Sequence, residues 1–318
     1  AAIGKLDSNY VFPAIAKRMA DTVRARLRRG AYDHISNGLT FSATLTQDFQ
    51  EVSKDKHLRV NFFPAGVPPR PIGPGPEPRA RQVTDPQECG FIRSEKLEGN
   101  VGYVKFNFFA SPDRCGDVAT EVVTKVTDAD ALIIDLRDNG GGDPAMVAHI
   151  SSYLFSTRTH LNDIWERPGN RTEQFYTNPS LPGRKLSDDK PVYVLTSSRT
   201  FSGAEEFSYN LKNLNRATIV GETTGGGAHP VNGHRIHPKF MIGVPFARAI
   251  NPSHTSGDGD TVFALATGRW QGDINVNIVG ALAAEAMAEA LVRAVSMAET
   301  SEGVPSAREL GSVPARIK

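Results

Sequence analysis

Residues 131–145 read ALIIDLRDNGGGDPA, and this stretch decides the fold class. An apolar run of strand length passes through Asp135, Arg137 and Asn139, breaks into Gly140, Gly141 and Gly142, and restarts as a helix at Asp143 and Pro144. Strand, glycine loop and helix in succession are the building unit of an α/β fold. Without Cβ atoms, the three glycines let backbone amides approach a ligand, so the loop reads as an anion cradle or as a tight structural turn. Neither GxGxxG nor GxxxxGK[ST] spacing is present, which argues against nucleotide binding through those motifs.

The same alternation extends in both directions. VGYVKFNFF (101–109) and VYVLTS (192–197) read as strands, as does ATIVG (217–221), with helices expected near Asp117 to Val126, beyond Pro144 and after Ser202. A further β segment, KFMIGVPFARAI (239–250), should close the site, followed by an alanine-rich helix over about 280–297 and a tail from 300 to 318. Towards the amino terminus, residues Pro13 to about Arg29 read as a helix opened by proline. A second runs from Thr40 to Ser53, where Leu45, Phe49 and Val52 recur at i, i+4 and i+7, and strand-like LRVNFF (58–63) follows. FPAGVPPRPIGPGPEPRAR (63–81) is too poor in apolar residues to pack and reads as a linker or strap. The expected organisation is therefore an amino-terminal helical domain over 1–64, a proline-rich linker over 65–98, an α/β core over 99–299 and a tail over 300–318.

Composition narrows the function. The 318 residues are 39% hydrophobic with a formal net charge of +1, enough to bury a full core and too balanced to suit a polyanion partner. No basic stripe interleaved with aromatics supports nucleic-acid binding, and no run approaches the roughly 18 apolar residues of a membrane span. The two cysteines, Cys89 and Cys115, could form one bridge without fixing the compartment. The opening Ala-Ala-Ile-Gly-Lys suits a chain trimmed after a small-residue export site, so a periplasmic or secreted location is expected, with a cytoplasmic one as the alternative.

Two segments carry candidate chemistry. In TSSRTFSGAEEF (196–207), Ser202 sits where an apolar strand turns into a helix with an acidic first turn. A hydroxyl there stands above the sheet with the free N–H groups of the new helix beside it, as a nucleophile needs. The same serine also fits a helix N-cap, with Glu205 completing a capping box. His57 lies on the connection between the second amphipathic helix and LRVNFF, and His229 in the glycine-rich GGGAHP (225–230) is the fallback base. No HExxH or CxxC supports a metal or any cofactor, and Asp138 and Asp143 read as turn caps.

Seven motifs in order resemble one family: NYVFP (9–13), KDKHLRV (54–60), EGNVGYVKF (98–106), ALIIDLRDNGGG (131–142), VYVLTSSRTFSGAEEF (192–207), RATIVGETTGGGAHP (216–230) and VPFARAI (244–250). The chain is similar to the tail-specific (carboxy-terminal-processing) serine proteases, in the branch of the tricorn core and the interphotoreceptor retinoid-binding protein modules. The resemblance implies a ClpP/crotonase-like core of ββα units behind a small amino-terminal helical domain. It makes Ser202 the nucleophile, His57 the base, and the amides of Gly141 and Gly203 the oxyanion hole. Where the tail-processing branch carries a catalytic lysine this chain has Gly227, which excludes a serine–lysine dyad. Where a glutamate supporting the histidine is expected, the chain reads Trp270-Gln271-Gly272, so Gln271 or the nearby Asp273 takes that role. The implied activity is hydrolysis of peptide or unfolded-protein substrates through an acyl-enzyme. The alternative is a catalytically weak relative that binds a peptide or a hydrophobic ligand such as a retinoid or fatty acid.

Overall fold

The central sheet has five strands in the order β2 (Phe91–Leu97), β3 (Val101–Phe106), β4 (Ala131–Asp135), β7 (Val192–Thr196) and β8 (Thr218–Gly221). The computed structural model describes residues 1–68, 83–227 and 229–250. Strand β2 pairs antiparallel with β3, and every other pair in the sheet is parallel. Parallel neighbours need crossovers. Helix α4 (Pro112–Thr124) links β3 to β4, helix α5 (Pro144–Ser151) leaves β4, and helix α6 (Gly203–Asn213) links β7 to β8.

The sequence pattern explains these elements. On β3, Gly102, Val104 and Phe106 are buried and alternate with half-buried residues, the period-2 signature of a packed strand. On α4, Val118, Ala119, Val122 and Val123 make one buried stripe at helical spacing. This helix starts earlier than the expected Asp117, because Pro112 occupies its first turn, where a missing N–H costs nothing. Cys89 and Cys115 form a disulfide, with Cα atoms 5.7 Å apart, joining the 3-10 turn Pro86–Cys89 to α4. Closing a 26-residue separation contributes about 3.5 kcal/mol by restricting the unfolded chain.

The expectation of a ClpP/crotonase-like core of ββα units is corrected by this topology. The central sheet grows by βαβ crossovers, with a single helix between β3 and β4 and between β7 and β8 and a longer excursion between β4 and β7. The remaining strands leave it for two separate antiparallel sheets, β11 (Ala247–Ile250), β5 (His160–Glu166) and β6 (Arg171–Tyr176), and β1 (Arg59–Phe62), β10 (Phe240–Pro245) and β9 (Val231–His237). The architecture is α/β with mixed parallel and antiparallel sheets.

Two clusters of buried side chains hold the fold. The larger lies around the central sheet and includes Phe106, Phe109, Leu132, Ile134, Met146, Val194 and Phe207. The other packs Leu6 of α1 (Ala2–Asn9), Met19 of α2 (Pro13–Arg28) and Phe49 of α3 (Gly38–Ser53) against Val60, Ile242 and Val244 of the β1–β10 pair. That pairing brings the stretch after α3, with His57, against residues almost two hundred positions later.

Candidate active site

Strand β7 delivers the chain to Ser202 through a tightly bonded loop. Thr200 Oγ1 donates to the Leu136 carbonyl at 2.7 Å and accepts the Ser197 N–H at 2.9 Å, while the Phe201 N–H reaches the Asn139 carbonyl at 3.0 Å. These bonds tie the loop before Ser202 to the loop after β4. Ser202 itself has φ +56° and ψ −122°, a conformation that costs a side-chain-bearing residue roughly 1–3 kcal/mol and persists only where its surroundings impose it. It is also the N-cap of α6, and Glu205 Oε2 accepts its N–H at 2.8 Å. The cap and nucleophile readings of Ser202 thus coincide in one residue.

The glycine loop lies directly against this serine. Asn139 is fully buried; its Nδ2 donates to the Phe106 carbonyl at 3.1 Å, and its Oδ1 accepts the Gly141 N–H at 2.8 Å. Gly141 has φ +94°, and a Cβ there would stand 2.6 Å from both Ser202 Cβ and the Gly203 nitrogen. Its amide, expected in the oxyanion hole, is engaged by Asn139. The Gly142 nitrogen would lie 3.0 Å from a Cβ on Gly203, and the amides of Gly142 and Gly203 donate to no acceptor among the described residues.

Helix α3 ends at Lys54 in the left-handed conformation, after which Asp55 is buried and the His57 ring turns inward while Lys56 stays exposed. The His57 side chain is 8% exposed, and its ring lies 4.5 Å from that of Phe201, the neighbour of Ser202. Burial lowers its pKa from the usual imidazole value; Asp55 and Glu205 pull it up, His229 and Arg59 push it down. Asp55 is buried too. Burial raises its carboxyl, but the hydrogen bond and charge of His229, with the amide and charge of His57, hold it below the ordinary value. His229 Nδ1 lies 2.9 Å from Asp55 Oδ2, so both candidate bases converge on one carboxylate. Gly227 sits beneath them: a Cβ there would approach His57 Cε1 to 2.6 Å and the Phe201 ring to 2.3 Å.

Sequence reading missed the wider role of Glu205. Besides Ser202, its carboxylate accepts the Gly226 and Gly227 N–H groups, each at 2.7 Å, and so clamps the glycine-rich loop to the serine helix. The signal was the run of glycines at 225–227, whose amides need acceptors that no side chain of the run supplies. Of the two carboxylates read as turn caps, Asp143 caps α5 by accepting the Ala145 N–H at 2.9 Å. Asp138 instead pairs with Lys105 at 2.6 Å and Arg199 at 2.5 Å. Among the described residues no group of three or more His, Cys, Asp or Glu could hold a metal. Gln271 and Asp273 lie outside the described residues, as do the 280–297 helix and the 300–318 tail.

Glu206, the next residue of α6, accepts a hydrogen bond from Asn162 Nδ2 at 3.0 Å. Burial pushes its carboxyl up from 4.5 to about 7 against that bond, with Asp143 adding to the rise. A folded value above the unfolded one means stability that is complete below about 4.5 and lost as pH rises through about 7. Glu206→Gln should leave the melting temperature unchanged at acid pH and raise it at alkaline pH, by on the order of 1–3 kcal/mol of stability, in paired thermal melts.

Residues 100–262 match the family model described as Peptidase family S41. The chain belongs to peptidase family S41. Residues 2–90 match the N-terminal domain of Peptidase_S41 in eukaryotic IRBP, in line with the resemblance read from the motifs. The S41 chain is 27% identical over 151 residues to the carboxy-terminal processing protease CtpB of Bacillus subtilis, covering 46% of this chain and 30% of that protein. It is 25% identical over 146 residues to the tricorn protease of Thermoplasma volcanium, covering 44% of this chain and 12% of that one. It therefore spans about a third or less of the length of these relatives. A crystal structure from Parabacteroides merdae shares the fold at TM-score 0.52 and 20% identity, over 78% of this chain and 82% of that one. The matched family is one of peptidases.

Proposed function

We propose that this S41 chain is a serine endopeptidase in which Ser202 attacks and His57 is the base, with no serine–lysine dyad. The observation that carries the reading is the position of Gly227. The site aligned with the family's lysine has His57 Cε1 within 2.6 Å of where a Cβ would begin, so the imidazole fills the space a lysine stem would need.

Buried and held below its usual pKa, His57 is neutral at physiological pH and able to take the Ser202 proton as Oγ attacks a peptide carbonyl. The Gly203 and Gly142 amides, uncommitted beside the serine, would receive the tetrahedral oxyanion, with Asn139 holding the Gly141 peptide that orients the loop. The imidazolium then gives its proton to the leaving amine, and water hydrolyses the acyl-enzyme by the reverse route. Peptide or unfolded-protein segments are the substrates this chemistry serves.

An apolar hollow lined by Ile3, Val23, Leu27, Phe41 and Leu45 lies among α1, α2 and α3, with a volume of about 190 Å³. That is below the roughly 300–1,000 Å³ of sites for molecules of retinoid size, and a second hollow of about 770 Å³ along α3 and β1 is lined mainly by polar side chains such as Gln47, Gln50, Glu51 and Lys54, which suits a retinoid or fatty acid poorly and ranks that alternative second. The disulfide supports a periplasmic or secreted location, since such bonds persist in oxidising compartments. Among the described residues no helix is long and apolar enough to cross a membrane.

The test is labelling with a fluorophosphonate, read by mass spectrometry beside Ser202→Ala and His57→Ala. Labelling confined to Ser202 and slowed at least a hundredfold by His57→Ala is expected; folded protein that stays unlabelled would overturn the reading and leave a binding module. Gly227→Ala probes the same contact. Its Cβ should displace the imidazole and slow labelling tenfold or more while shifting thermal stability little, because the atoms it meets are side-chain ends that can move.

A further inference from the structure

His57 Nδ1 is buried and has no hydrogen-bond partner among the described residues, yet Asp55 Oδ1 stands only 3.8 Å away. An unpaired ring nitrogen in the interior carries the full cost of its lost hydration, so a small rotation that closes this gap is favoured. The carboxylate is prepared to receive it. Among the described residues its Oδ1 accepts only the His57 backbone N–H, at 3.0 Å, which leaves it a lone pair for the ring. Its Oδ2 is held by His229 Nδ1 at 2.9 Å and by the Tyr10 hydroxyl at 3.3 Å, so the group cannot swing away from His57.

We propose that Asp55, anchored by His229, is the carboxylate that orients His57, forming a histidine–aspartate–histidine chain behind Ser202. The inference rests on the Ser202–His57 reading and deepens it. Asp55 and His229 are positioning residues: a proton kept on His57 Nδ1 and donated to Asp55 leaves Nε2 bare, the form a general base requires. When Nε2 takes the serine proton, the Asp55 charge stabilises the imidazolium without accepting that proton. His229 meets the carboxylate through Nδ1 and the Phe12 ring edge-on at 5.3 Å, and at 23% side-chain exposure a glutamine in its place keeps most of that packing.

The groups that face His57 are Asp55, His229, Glu205 and Arg59, and their signs give the test its direction. Removing the Asp55 charge lowers the His57 titration midpoint, whereas removing His229 raises it. The experiment follows the His57 ring protons by NMR across pH in the intact chain, in Asp55→Asn and in His229→Gln, with the Ser202 labelling rate measured on the same samples. Opposite shifts of the His57 midpoint are expected, together with a loss of labelling of at least a hundredfold in Asp55→Asn and about tenfold in His229→Gln. A midpoint that stays put in folded His229→Gln, or moves the same way in both variants, overturns the proposal. So does unimpaired labelling of Asp55→Asn, and that result would leave the Ser202–His57 reading standing. Opposite shifts in a chain that never labels would uphold the histidine–aspartate–histidine chain and defeat the peptidase reading instead.

Discussion

Glu205→Gln is expected to slow Ser202 labelling by two orders of magnitude or more and to lower thermal stability by about 2–4 kcal/mol. The carboxylate accepts three backbone N–H groups, from Ser202 at 2.8 Å and from Gly226 and Gly227 at 2.7 Å each. Charge-assisted bonds of this kind contribute roughly 1.5–3 kcal/mol apiece, discounted here because the side chain is only half-buried. An amide of the same shape has one oxygen, so its NH2 group must face at least one N–H. The loss is structural and catalytic together. The bond to Ser202 supports the strained φ of the proposed nucleophile, and the bonds to the glycine loop keep Gly227 beneath His57. Thermal melts and labelling rates should fall in parallel; a variant that labels at the normal rate would show that the clamp has no part in placing the serine.

Gly141→Ala should be more damaging, at about 4 kcal/mol or more, and should abolish labelling in whatever protein folds. The new Cβ would lie 2.6 Å from the Gly203 nitrogen and 2.7 Å from the Phe201 carbonyl oxygen, both backbone atoms tied into the serine turn. Its φ of +94° adds strain that an L side chain seldom bears. Neither neighbour can yield without moving Ser202. Gly140→Ala, one position earlier, is the matched control, since a Cβ there meets nothing within 4 Å. Denaturant midpoints of the two variants should separate clearly, and equal midpoints would contradict the packing described for this loop.

Much of the fold was legible because its signals are local. Pro13 and Ser53 bound readable helices, the glycine loop at 140–142 follows a readable strand, and Ser202 was placed at the head of α6 from the change of pattern around it. Strands β5 and β6 were not read. HLNDIWE and RTEQFY show weak alternation, and β6 is mostly exposed, so pairing with β5 holds it as a strand where its own pattern does not. The order of strands also escaped the pattern, and the expected repeat of ββα units gave way to βαβ crossovers with two side sheets.

The sequence by itself determined the α/β class, the family resemblance and the identity of Ser202 and His57 as candidates, because propensity, capping and glycine conformation act over a few residues. The tertiary structure alone decided the wiring. It placed His229 on Asp55 across 174 residues, joined Cys89 to Cys115, set Glu205 beneath the glycine-rich loop, and engaged the Gly141 amide with Asn139. A residue's type fixes which hydrogen bonds it can make. Which partner it takes depends on distances of a few tenths of an ångström between segments far apart in the chain, and only packing sets those.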